Sequence, residues 1–223
     1  MIWALALTLL VWGGASWLRR FGRGLLNPVL VSTIVIGAVL VTGRIPLDDY
    51  DAGTVPLTAL LGPAVVALAF AIYRGAKKLG RLLPALLIAG IVSAVLGAAT
   101  TVFVAWLLGA DQDLLRALAP KHATSAVSAA VAGVIGADAP LAAVFSILTG
   151  ILGAVAGPPL LRLTRVKDPV AGGFAIGISA HAIGTARAME AGETMGESSA
   201  LGLALASLLV PLTVLAATLL GWL

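Results

Sequence analysis

Apolar runs of roughly 17 to 25 residues recur along the whole chain, each long enough to cross a hydrocarbon core as a helix. Eight such segments fall at residues 2–18, 25–41, 55–73, 82–108, 114–135, 141–161, 170–189 and 199–223. They fill a chain of 223 residues that is 60% hydrophobic and 11% charged, and they leave no room for a soluble catalytic domain. The expected fold class is therefore all-α, a polytopic transmembrane helical protein forming a single membrane domain over 1–223. A net charge of +4 and a pI of about 10.0 would also suit a nucleic-acid surface. Here the basic residues sit in short loops between apolar runs, which fits membrane orientation instead, and no nucleic-acid partner is expected. With no cysteine, the chain has no disulfide, no thiolate nucleophile and no Cys-based metal site.

The first apolar run is the length of a secretory signal, but its charge order is reversed. No basic residue precedes it, and Arg19, Arg20 and Arg23 follow it, so it reads as a retained span. Arg74, Lys77, Lys78 and Arg81 follow the third segment, and Arg162, Arg165 and Lys167 follow the sixth. Together these three loops hold ten of the 14 Lys and Arg residues, and the positive-inside rule makes them cytoplasmic. The loops with Asp48, Asp49 and Asp51, with Asp111 and Asp113, and with Glu190, Glu193 and Glu197 are then expected outside.

Segment five must, on that assignment, enter and leave on the same face, which makes 110–138 a re-entrant hairpin. Pro120 breaks its middle, and Lys121, His122, Thr124 and Ser125 follow at the expected tip. Such non-helical backbone is tolerated at membrane depth only inside protein or beside a water-filled cavity. The remaining directions give seven spans: 1–24 as first span and loop, 25–109 as repeat one and 139–223 as an inverted repeat two, three spans each. The matched third and seventh segments carry helix-weakening residues, Gly62-Pro63 in one and Gly172, Gly173, Gly177 and Gly184 in the other. Paired broken segments in inverted repeats point to a secondary-transporter site.

The polar groups near these breaks are the candidate site. A helix starting at Thr124-Ser125 inside the membrane would offer N–H groups, a positive dipole end and hydroxyls to a small anion, with Lys121 and His122 adding charge. His181, Thr185 and Arg187 lie in or beside segment seven, where ionisable groups usually face a cavity, a partner or an ion. Each also has a plainer reading. Thr124 and Ser125 can cap the helix, Lys121 can snorkel, and His181 can make a structural bond between helices. Arg187 and Glu190 are spaced to pair, and Gly153-x-x-x-Gly157 and Gly173-x-x-x-Gly177 are spaced for close helix packing. No metal set, cofactor motif or nucleophile–base pair is visible, so neither a cofactor nor an enzyme activity is expected.

At these residues the chain resembles the LrgB/CidB family, whose plastid relatives include the glycolate/glycerate translocators. The resemblance runs through Asn27-Pro28, 60–69, Pro120-Lys121, 144–158 and the string His181-x-x-Gly184-Thr185-x-Arg187-Ala-x-Glu190. Two departures stand out: His122, Ala123, Thr124, Ser125 and Ala126 replace the family's Ser and Thr-Thr-Pro run, and Glu197 precedes the paired serines where an apolar residue is usual. The resemblance implies transport of small monocarboxylates such as glycolate, glycerate, pyruvate or lactate across a bacterial inner membrane. It also implies an alternative, a holin- or antiholin-like control of murein hydrolases with an LrgA/CidA-type membrane partner. The expected partners are thus a small anionic substrate, the lipid bilayer, that membrane protein, and further copies of the chain in a homo-oligomer. The expected substrate-binding set is Gly62, Pro63, Pro120, Lys121, His122, Thr124, Ser125, His181, Gly184, Thr185 and Arg187.

Overall fold

The structure is a computed structural model that describes residues 2–20 and 28–223. The described residues form ten α-helices and one 3-10 turn, with no strand among them. Two compact units divide the chain, Met1–Ala69 and Phe70–Leu223.

In the first unit, α1 (Ile2–Leu18) packs on α2 (Pro28–Thr42) and α3 (Leu47–Ala59). Thr8 Oγ1 lies 2.7 Å from the Tyr50 hydroxyl, and the Trp3 ring stands 6.3 Å from the Tyr50 ring. α4 (Leu61–Lys78) begins in this unit and ends in the second. The interruption expected at Gly62-Pro63 falls at Leu60, between α3 and α4, and Pro63 occupies the first turn of α4, where its missing N–H costs nothing.

The second unit continues through the 3-10 turn Gly80–Leu82, α5 (Leu83–Leu107), α6 (Gln112–Leu118), α7 (Ser125–Val134), α8 (Ala139–Leu163), α9 (Pro169–Ala191) and α10 (Glu193–Leu219). Four of these helices start at side-chain caps written in the sequence. Asp111, Thr124, Asp138 and Asp168 accept from the backbone N–H three residues on, and prolines follow Asp138 and Asp168 at the first or second helical position.

Size is distributed the opposite way from a soluble core. On α5 and α8 the buried faces are mostly small, with Gly90, Ala94 and Ala98 beside Leu86 on α5 and Ala142, Ser146, Gly150 and Ala154 beside Ile151 on α8. Ile88, Val92, Leu96, Phe103 and Trp106 on α5, Leu148 and Leu152 on α8, and Leu208 and Leu212 on α10 point outward. Lipid offers apolar side chains as good an environment as protein does, so membrane helices associate through close approach of small residues. Four helical stretches are long and apolar enough to cross a membrane: Gly80–Leu107, Ala139–Leu163, Pro169–Ala191 and Glu193–Leu219.

The third of these does not run straight. Gly173 lies against the backbone of Met195, and Gly196 lies against Met189, 2.9 Å separating its pro-Cβ position from Met189 Cα. In a straight helix residues 173 and 189 would stand about 24 Å apart. They converge on one turn of α10 because α9 doubles back at His181, where φ is 39° and ψ is −135°. The arm 169–180 runs beside the start of α10, as Ser198 Oγ donating to Val170 O at 2.7 Å requires, and the arm 182–191 returns beside the same turns.

This corrects the sequence reading of segment seven as an in-to-out crossing. It also moves Glu193 and Glu197 from the outer face to the basic end of the molecule. Arg74 donates to Glu193, and Lys78 Nζ lies 3.0 Å from Glu197 Oε2. The positive-inside rule counts Lys and Arg, and acids carry little topological weight, so nothing in the charge pattern excluded this placement. With segment seven returning, the parity behind the inverted three-plus-three repeat is lost.

Candidate functional site

α6 and α7 form the other folded-back pair. α6 packs on α5, with Leu115 lining the same cavity as Val102 and Trp106 near the end of α5, whereas His122, past the end of α6, packs on Gly97 earlier in α5. α7 then returns along the first turns of α8, with Ser128 opposite Ser146. In the turn at 119–123 Pro120 O accepts from Ala123 N at 2.9 Å, and two buried serines add side-chain bonds to the turn's carbonyls. Ser128 Oγ donates to Pro120 O at 2.6 Å, and Ser146 Oγ donates to Ala123 O. Buried backbone acceptors need such partners wherever a helix is interrupted away from water.

The α9 tip reaches the same place from the opposite end of α8. His181 is 3% exposed, and its Nε2 lies 2.7 Å from Ser146 O. A carbonyl only accepts, so the proton is on Nε2. The His181 ring fills the space above Gly150, and the Ala180 methyl fills that above Gly153, so neither glycine has room for a side chain. His122 Nε2 stands 3.5 Å from Thr101 Oγ1, and its ring neighbours the Ser179 backbone. The tips of the two folded-back pairs therefore meet alongside Ser146 to Gly150.

The expected site residues divide by what they touch. Pro120, His122 and His181 belong to the tip junction, and Lys121 stands half-buried beside it. Thr124 caps α7 by accepting from Val127 N at 3.4 Å, and Ser125 opens that helix. Thr185 is 2% exposed and directed at α10, its Oγ1 3.0 Å from Ser199 Oγ. Gly184 is a packing position, since a methyl there would stand 2.5 Å from Ala180 Cβ. Arg187 pairs with Glu190 at 2.7 Å. Gly62 and Pro63 belong to the first unit.

Sequence reading missed Ser128, Ser146 and Thr101, all hydroxyls. A hydroxyl in an apolar helix often bonds its own preceding turn, so Ser128 and Ser146 give no signal beyond being polar in segments of Ala, Val and Leu. It also missed the partner of Glu197, whose side chain is 6% exposed between Lys78 and Arg74, with Arg74 Nε 3.3 Å from Oε1.

A cavity of about 730 Å³ lies elsewhere, between the ends of α5 and α10 and the start of α6. Phe103, Trp106, Leu212, Leu220 and Trp222 line it, and its walls are almost wholly apolar.

Small buried residues, lipid-suited outer faces and paired interrupted helices define a polytopic helical membrane protein. The chain belongs to the LrgB-like family, whose model matches residues 8–221. It is 32% identical over 207 residues to the Bacillus subtilis protein YwbG, described only as uncharacterized, covering 92% of each chain. It is 30% identical over 200 residues to the holin-like protein CidB of Staphylococcus epidermidis, covering 88% of this chain and 87% of that one. The holin-like protein CidB of Staphylococcus aureus is 29% identical over 202 residues, covering 88% of each. No solved structure gives a significant match.

Proposed function

We propose that the chain is a secondary transporter or facilitator of small monocarboxylates, of the glycolate, glycerate, pyruvate or lactate class, in a bacterial inner membrane. One observation carries the reading: two interrupted helical pairs enter from opposite ends of α8 and touch at Ser146, through Ala123 from one and His181 from the other. Interrupted helices meeting inside the bilayer are how such carriers build a solute site.

The inverted repeat is then a smaller one than three spans each. α5 followed by the α6–α7 hairpin forms one half, and α8 followed by the α9 hairpin forms the other, in the opposite sense. Each tip places a histidine on a glycine of its preceding span, His122 on Gly97 and His181 on Gly150. A hydroxyl residue stands one turn from each glycine, Thr101 and Ser146. The start of α7, with Lys121 and His122 before it, supplies the positive end that a carboxylate requires. The basic ends of α4 and α8 face the cytoplasm on this reading, and both hairpins are re-entrant.

A second reading, a holin-like regulator acting with an LrgA/CidA-type membrane partner, is favoured by the description of the CidB relatives. That description backs it more directly than it backs transport. Uptake of labelled glycolate, pyruvate and lactate into proteoliposomes, with and without a pH gradient, separates the two. Transport requires saturable uptake of at least one. Uptake of none by a monodisperse preparation, together with altered autolysis when the chain is expressed beside such a partner, establishes the regulator instead.

A further inference from the structure

We propose that Ser146 is a positioning residue that couples the two hairpin tips, so that neither loosens without the other. It is fully buried, and it is bonded to both tips through different atoms. Its Oγ donates to Ala123 O in the first turn, and its backbone oxygen accepts from His181 Nε2 in the second. Ser128 donates its single proton to Pro120 O within the same turn, and its Oγ rests against Ser146 Oγ at 3.3 Å, so the first turn is held to Ser146 by one hydrogen bond and this contact, and the second by one hydrogen bond.

The reason lies in what each tip lacks. The first turn bonds within itself at Pro120 O but depends on Ser146 at Ala123 O, and a buried carbonyl left unpaired costs more than the bond it loses. Breaking the Ala123 bond frees Ser146 Oγ to seek the carbonyls of its own helix, which shifts the turn that presents Ser146 O to His181. Two elements drawn from one bonded residue respond together, whereas tips that merely pack side by side respond separately.

This inference rests on the pairing of the hairpins in the transport reading and not on any solute, so loss of uptake with coupling intact leaves it standing. The test is backbone hydrogen–deuterium exchange on the full chain in nanodiscs. Ser128→Ala should speed exchange at 121–124 and also at 182–185, each by about fivefold, the change in opening expected from one lost buried hydrogen bond. In a Ser146→Ala background, adding Ser128→Ala should leave 182–185 unchanged, and Ser146→Thr, which keeps the hydroxyl, should restore the response. An unchanged rate at 182–185 in the Ser128→Ala chain overturns the proposal, as does an equal response with Ser146→Ala. Should Ser146→Ala not accumulate as folded protein, the Ser128→Ala comparison alone decides, since only a coupled second tip responds to it.

Discussion

His181 holds a backbone conformation that a side chain rarely adopts, at the one point where α9 must reverse. Its φ of 39° carries a strain of about 1–3 kcal/mol. The bond to Ser146 O and the ring's fit over Gly150 offset it. Replacing the histidine removes both, but glycine also removes the strain. His181→Gly should therefore melt higher than His181→Ala, by about 1 kcal/mol in stability, when both are followed by thermal unfolding in detergent. The opposite order would mean that the reversal is unstrained and that the ring alone shapes it. Glu197 poses a different imbalance, since its carboxylate is buried while its partners Lys78 and Arg74 are 48% and 49% exposed. Removing Lys78 leaves the buried carboxylate with Arg74 alone, whereas removing the carboxylate lets both cations turn to water. Lys78→Ala should cost about 1–2 kcal/mol and Glu197→Gln less than that, an order that the same melting experiment reads.

At the scale of the helix, α9 and α10 pack through backbone contact. Gly177 lies against the Ser199 carbonyl and Gly173 against that of Met195, so a methyl at either collides with main chain that has no rotamer to give. Gly177→Ala should abolish folded yield or cost about 3 kcal/mol or more. Gly133→Ala, in the last turn of α7 with nothing within 4 Å, should be neutral or stabilising by up to about 1 kcal/mol. Equal yields from the two variants, by size exclusion of detergent extracts, would contradict the packing. These elements also mark what the sequence reveals. The bend between α6 and α7 is written in Pro120 and the polar run behind it, and four helix starts are written in Asp and Thr caps. The reversal of α9 is not, because its 23 residues have the length and hydropathy of a span and the turn falls on a histidine flanked by alanines. Glycines at 172, 173, 177 and 184 look like weak points but serve contact, the first three with α8 or α10 and Gly184 with the outgoing arm at Ile176 and Ala180. Ser146 was illegible for a related reason: its partners are brought to it from 23 and 35 residues away by two separate turns.

For the whole molecule, the reversal of α9 decides which side of the membrane the α9–α10 turn occupies. Counting Lys and Arg places the end of α4 and the end of α8 together, and the structure agrees through α10, which starts beside both Val170 and Lys78. A crossing α9 would carry Glu193 across the bilayer from Arg74, and that ion pair could not form. The chain has no native cysteine, so single cysteines report sidedness without background. Cysteines at Lys77, Val166 and Ala191 should all react with an impermeant maleimide from the cytoplasmic face of oriented vesicles. Those at Gln112 and Asp138, which flank the α6–α7 hairpin, should react only from the opposite face. Labelling of position 191 together with 112 would make α9 a through-span, and with it would fall the meeting of two hairpins at Ser146 and the transport reading built on that meeting. Labelling of 112 and 138 from opposite faces would instead open the first hairpin and leave the second intact, so the two folded-back pairs are tested separately.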